Sequence, residues 1–127
     1  MNPQTNTRDV VSPPSRHALY DAHRYSPAIR VNGLLFVSGQ VGSRADGSPE
    51  PDLDEQVRLA FKNLNAILAE AGLSFDDVID VTVFMVDPHT HFERAWPQNS
   101  AATATAIGVT WLSGFQFEIK VIAKLPE

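Results

Sequence analysis

The feature that most restricts the fold is an uninterrupted amphipathic stretch from Asp52 to Ala71, set between two strand-like runs. Leu53, Val57, Ala60, Phe61, Leu64, Ile67, Leu68 and Ala71 recur at i, i+3, i+4, i+7 spacing and line one stripe of a helix. Asp52 is placed to cap its N-terminus with Glu55 three residues on, and Gly72 suits the left-handed residue that ends it. About 20 residues rising 1.5 Å each give ~30 Å, enough to cover a small sheet. Asn63 and Asn65 are expected to face solvent.

The flanking runs read as strands. Ala28–Val31 leads into Asn32-Gly33, a hairpin turn, and Leu34–Val37 follows as an apolar run expected to be buried on both faces. That strand is expected to stop on Ser38-Gly39-Gln40, where a glycine lets a backbone N–H approach a ligand and polar groups end a core strand. Val78–Val86 is rich in β-branched residues, with Val81, Val83 and Met85 on one face and Asp80, Thr82 and Phe84 on the other. Strand, long helix, strand implies a right-handed crossover and a parallel pair. Thr103–Leu112 and Phe115–Lys124 read as two final strands around Ser113-Gly114. Asp9–Val11 is a short edge strand before Ser12-Pro-Pro-Ser15, and Arg16–Arg24 a loop dense in ligand-competent groups. Phe92–Trp96 opens a second helical piece that Pro97 interrupts. The expected fold is therefore α+β and two-layered: a mixed six-stranded sheet with one long and one short helix on one face. Residues 1–15 form a flexible N-terminal segment and residues 16–127 a single domain.

Composition narrows the function. There is no cysteine, so a thiolate nucleophile, a disulfide framework and thiolate metal sites are excluded, and a cytoplasmic setting is expected. The net charge is −5 with scattered lysine and arginine, which argues against nucleic acid held through its phosphates. No apolar run approaches the ~20 residues that span a bilayer, so no membrane partner is expected. His89 and His91 could share a metal, but structural and catalytic sites need three or four ligands and no third is identifiable. Neither metal nor cofactor is expected.

Several separated motifs carry a resemblance. Tyr25-Ser-Pro-Ala-Ile29, Leu35-Phe-Val-Ser-Gly-Gln-Val-Gly42, Gln56–Leu64 and Val81-Thr-Val-Phe84 resemble the Rid/YjgF family, also labelled reactive-intermediate deaminase or endoribonuclease L-PSP. His17-Ala-Leu-Tyr20 and Gly108-Val-Thr-Trp-Leu112 are similar to its YjgH-like branch. The resemblance covers residues 16–125 and implies a chorismate-mutase-like fold, homotrimers and ligand clefts between neighbouring subunits. The apolar character of Thr82, Phe84 and Val86 independently favours association through one sheet face.

In the family, the position matched by Glu118 holds the water that attacks an imine carbon, and Tyr25, Ser38 and Gly39 match its other site positions. A carboxylate in a partly dry cleft can carry a raised pKa and exchange a proton with water, although strand alternation alone also allows Glu118 a plain solvated place. The family's deaminases also carry an arginine that clamps the substrate carboxylate in two parallel hydrogen bonds. Here Ala104 stands at that position, and Trp96 falls near the family's asparagine. A ring-bearing ligand stacking on Trp96 and meeting Ser38, Tyr25 and Glu118 fits that inventory, with Trp96 as core filler the competing role. Arg24, adjacent to Tyr25, is the first candidate to replace the missing arginine. The resemblance thus implies a small-molecule protein, a deaminase or hydrolase of enamine or imine metabolites with altered specificity and weak or absent standard 2-imino acid deaminase activity. The alternative is a non-catalytic metabolite- or protein-binding module. Ribonuclease action fits poorly with the acidic charge and the absence of a paired histidine with a positioned base.

Overall fold

The structure is a computed structural model that describes residues 8–14, 18–88 and 101–126. In chain order its elements are β1 (Asp9–Val11), α1 (Leu19–His23), β2 (Ala28–Val31), β3 (Leu34–Val41), α2 (Leu53–Glu70), a 3-10 turn (Phe75–Asp77), β4 (Val78–Val86), β5 (Thr103–Val109) and β6 (Phe117–Lys124). One mixed six-stranded sheet runs in the order β1-β2-β3-β6-β4-β5. β1 lies inside the 1–15 segment set apart above, pairs with β2 and buries Val11.

α2 forms where its stripe requires. The Asp52 carboxylate accepts from the Glu55 N–H and closes the N-terminus, and Gly72 takes φ 77° just beyond the last turn. Ala60, Leu64, Ile67 and Leu68 are buried against the sheet face built from Leu35, Val37, Val81, Val83, Phe117, Ile119 and Val121, and Leu53 is buried at the start of the helix. Truncating one of these to alanine, such as Leu64, would cost ~2–5 kcal/mol. Alternation along β4 and β6 is as expected: Val81, Val83 and Met85, with Phe117, Ile119 and Val121, are buried, while Thr82, Phe84, Glu118 and Lys120 lie on the other face.

Five expectations are corrected. β4 is not the neighbour of β3, because β6 inserts between them and pairs antiparallel with both. β3 and β4 keep the common direction that the helical crossover demands, but the hydrogen-bonded parallel pair is β4 with β5. β3 does not stop at Ser38; it continues to Val41 through an irregularity between Val37 and Gln40. Val37 pairs with Val121 but Gln40 with Ile119, so three steps on β3 match two on β6: one extra residue, a β-bulge. Nor is the Leu34–Val37 run buried on both faces in the single chain, since Leu35 and Val37 are core while Phe36 is 41% exposed. Asn63 turns inward, its Nδ2 donating to the carbonyl oxygens of Val41 (3.0 Å) and Ser43 (3.2 Å), because the strand end leaves those acceptors without ladder partners. Finally, the loop expected from Arg16 to Arg24 contains the five-residue helix α1; the helical piece expected at 92–96 lies outside the described residues.

Candidate functional site

The site grows from that bulge. Two residues of β3, Ser38 and Gly39, crowd opposite one position of β6, which brings the strand close to the Glu118 side chain. A Cβ on Gly39 would stand 2.1 Å from the Glu118 Oε2, so only glycine leaves the carboxylate its place. Ser38 Oγ donates to the Ser26 carbonyl at 2.5 Å, which ties the bulge to the segment carrying Tyr25. The donor of that hydroxyl is therefore spent, and its lone pairs remain for a ligand. Behind the bulge Gln40 is buried, accepting from the Tyr20 hydroxyl (3.1 Å) and donating to the Ser38 carbonyl (3.0 Å). Tyr20 in turn packs on Tyr25, with ring centroids 4.9 Å apart. Arg24 ends α1 in the left-handed region at φ 59°, its N–H donating to the Tyr20 carbonyl, and this sharp exit aims Tyr25 at the sheet.

Tyr25, Ser38, Gly39 and Glu118 thus converge on one cavity of about 930 Å³, further bounded by Arg24 and Lys120. Burial raises the Glu118 carboxyl above its ordinary range, with the Lys120 charge pulling weakly the other way. Burial, and then the negative charge of Glu118, likewise raise the Tyr25 phenol, which keeps it a hydrogen-bond donor at neutral pH. Among the described residues no hydrogen-bond donor reaches the Glu118 carboxylate. Such a group can hold and deprotonate a water, next to a neutral phenol able to donate to a developing negative charge.

Four of the six expected site residues are brought together. Ala104 is not one of them within a single chain: on β5 it pairs with Val81, whose side chain belongs to the helix-covered core, whereas Glu118 pairs with Phe84 on the open face. Trp96, His89 and His91 lie outside the described residues. Among the described residues no three metal-ligating side chains gather. The reading from sequence missed Lys120 and the aromatic group beside Tyr25 formed by Trp111 and Phe115. For Lys120 the signal was available, two residues beyond Glu118 on the same strand and hence on the same face. No described helix is long and apolar enough to cross a membrane.

Comparison with known proteins places the chain in a family. A family model described as endoribonuclease L-PSP matches residues 15–125. The RutC family protein YjgH of Escherichia coli is 60% identical over 127 aligned residues, 94% of this chain and 97% of that protein. A solved structure of protein YjgH superposes with a TM-score of 0.88 at 58% identity, covering 94% of this chain and 98% of the other. The mouse 2-iminobutanoate/2-iminopropanoate deaminase is 32% identical over 111 residues, 78% of this chain and 79% of that enzyme. A structure of Escherichia coli TdcF with bound serine has a TM-score of 0.71 at 28% identity, over 80% of this chain and 88% of the other. With a family model spanning residues 15–125 and YjgH matching along nearly its whole length in both sequence and structure, the chain belongs to the Rid/YjgF family of endoribonuclease L-PSP-like proteins and is YjgH-like within it.

Proposed function

We propose that the protein hydrolyses small enamine or imine metabolites as a homotrimer, with Glu118 as the base. The observation that carries this is the partly buried carboxylate of Glu118, with no donor reaching it among the described residues, held over Gly39 beside the Tyr25 phenol. Glu118 takes a proton from water as the water oxygen bonds to the imine carbon, and the C=N π pair moves to nitrogen, which takes that proton from the Glu118 carboxyl. The hydroxyl proton of the resulting carbinolamine then passes by way of Glu118 to the amino nitrogen, the C–N bond breaks, ammonia leaves and the carbonyl forms. Imine and water become carbonyl compound and ammonia, with no other reactant. An enamine enters the same route after tautomerising. The deaminase name of the mouse relative and the serine in the TdcF structure support a substrate built like an amino acid.

With Ala104 read as standing where arginine-bearing deaminases carry their clamp, the substrate carboxylate needs a different partner here. Arg24 lines the same cavity as Glu118, together with Arg8 and Lys120, and its planar fork suits that role. Ammonia release from imines generated in situ from serine or threonine tests the reading. Slow turnover that drops further in Arg24→Ala supports it, and rates typical of arginine-bearing relatives in Arg24→Ala would sink Arg24 as the clamp. Ala104 also favours a second reading, a module that binds metabolites without turning them over; ligand binding with no ammonia released from any imine would decide for it.

The trimer is proposed from the open sheet face, where Phe36 and Ile107 are each 41% exposed and Phe84 is half-buried. Neighbouring β4 residues separate assembly from folding. Val83→Asp, in the core, is expected to unfold the subunit, and Phe84→Asp to leave a folded monomer in sedimentation equilibrium.

A further inference from the structure

Tyr25 and Glu118 border a second compartment besides the cavity described above. It measures about 360 Å³ and is lined by Leu19, His23, Val41, Trp111, Leu112 and Phe115. This volume is at the lower end of the ~300–1,000 Å³ typical of small-ligand pockets. Its far wall is the connection from β5 to β6. There Ser113 and Gly114 take φ 54° and 94°, and the Phe115 N–H donates to the Leu112 carbonyl at 3.0 Å, closing a tight turn. That turn drives Phe115 into the core at 7% exposure and leaves Trp111 72% exposed, far more than any other large apolar side chain among the described residues. The opposite wall is Gly47 with Pro49, and the Gly47 backbone sits against Leu19. The two compartments share Tyr25 and Glu118 but differ in their cations: Arg8, Arg24 and Lys120 line the first, whereas the second has no lysine or arginine and pairs His23 with mainly aliphatic and aromatic side chains and an uncovered indole face.

We infer that this second compartment is the subsite for the substrate's side chain and selects imino acids with a ring or a large branched apolar group over those with a methyl. The inference rests on the hydrolytic reading above, since it places the reacting carbon at Glu118. A carboxylate directed toward Arg24 and a reacting carbon at Glu118 leave the third substituent facing Trp111 and Leu112. An aromatic ring there would bury the exposed indole face and gain both apolar burial and ring stacking.

The test uses the intact protein and three keto acids that such hydrolysis would release: pyruvate, 4-methyl-2-oxopentanoate and phenylpyruvate. Their binding is measured by calorimetry, alongside ammonia release from the matching imines generated in situ from alanine, leucine and phenylalanine. Phenylpyruvate is expected to bind at least about tenfold more tightly than pyruvate, the scale of a filled apolar subsite. Trp111→Ala, which removes the indole face, and Leu112→Trp, which fills the compartment, should each abolish that preference. Preference without ammonia release would leave the subsite standing and overturn the hydrolytic reading. Ammonia release at equal efficiency from all three imines, with equal keto-acid affinities, would overturn the subsite alone. Failure of every keto acid to bind, or a preference unchanged in both variants, overturns it too. Should Trp111→Ala not fold, Leu112→Trp, at a half-buried turn position, decides the matter.

Discussion

Two polar side chains flank the first residues of β6 and live under opposite rules. Gln56 enters from α2 with 1% exposure and spends its amide on three backbone groups. Its Oε1 accepts from the N–H groups of Gln116 (2.7 Å) and Phe117 (3.2 Å), and its Nε2 donates to the Glu50 carbonyl (2.8 Å). Glu118, two residues along on the other face, is partly buried with no donor among the described residues satisfying it and a carboxyl raised by desolvation. A buried polar group bonded on both ends to backbone is holding backbone in place; one kept short of partners is held ready for a molecule that arrives later. The difference teaches where to look for chemistry on a sheet of this kind.

Exchanging each group sharpens the comparison. Glu118→Gln keeps the shape but removes the base, so ammonia release should fall about 10²–10⁴-fold, or ~3–5 kcal/mol in the barrier. Retention of wild-type rate in that variant would move the chemistry elsewhere. Gln56→Leu strands two N–H groups and a carbonyl, at ~1–3 kcal/mol each, so urea denaturation should show a loss of at least ~3 kcal/mol. A loss under ~1 kcal/mol would mean that water replaces the amide and that the site is less dry than its burial indicates.

Two glycines of one strand extend the contrast. At Gly42 an added methyl would lie 2.2 Å from the Gln56 backbone oxygen, so helix and strand must part; Gly42→Ala should cost ~1–3 kcal/mol of stability, read by thermal melting. At Gly39 the obstacle is Glu118 Oε2, the free end of a side chain that can swing away. Gly39→Ala should therefore melt close to wild type while losing about 10²-fold in rate through the displaced carboxylate. Equal melting losses at both positions would erase the distinction between the two faces.

The smallest effect is in pH. With its carboxyl raised in the folded state, Glu118 holds a proton there at pH values where the unfolded chain has released it. Stability consequently falls as pH rises through that window. Glu118→Gln should thus melt above wild type at pH 7, with the gain vanishing on acidification into the ordinary carboxylate range. Activity runs the opposite way, rising as the base ionises, and an activity that falls across that interval would exclude Glu118 as base.

Much of this was legible from local pattern. The α2 stripe, its Asp52 cap and the parity of β4 and β6 all follow from periodicity, which depends only on near neighbours. Glu118, Tyr25, Ser38 and Gly39 were legible through resemblance, since alternation alone left Glu118 an ordinary solvated place. The insertion of β6 between β3 and β4 was not legible, because strand order depends on pairing between distant segments that periodicity does not encode. Gln56 could have been found: it sits three residues from Leu53 and four from Ala60, a polar residue on an apolar stripe, and such a residue has to be bonded to something. Asn63 had no comparable signal, since its partners are carbonyls left over by a strand end that only the folded chain defines.

That sheet order also has a consequence in time. β6 is the last strand to be synthesised among those described, yet it is the one that joins the β1-β2-β3 half to the β4-β5 half. Until residues 117–124 leave the ribosome, two half-sheets and a long amphipathic helix must wait with apolar edges exposed, a matter of seconds at ~5–20 residues per second. Closure is then non-local and comparatively slow. Because Glu118 rides on that closing strand, no nascent intermediate can display the carboxylate beside Tyr25, and the site comes into being in the same event that completes the sheet.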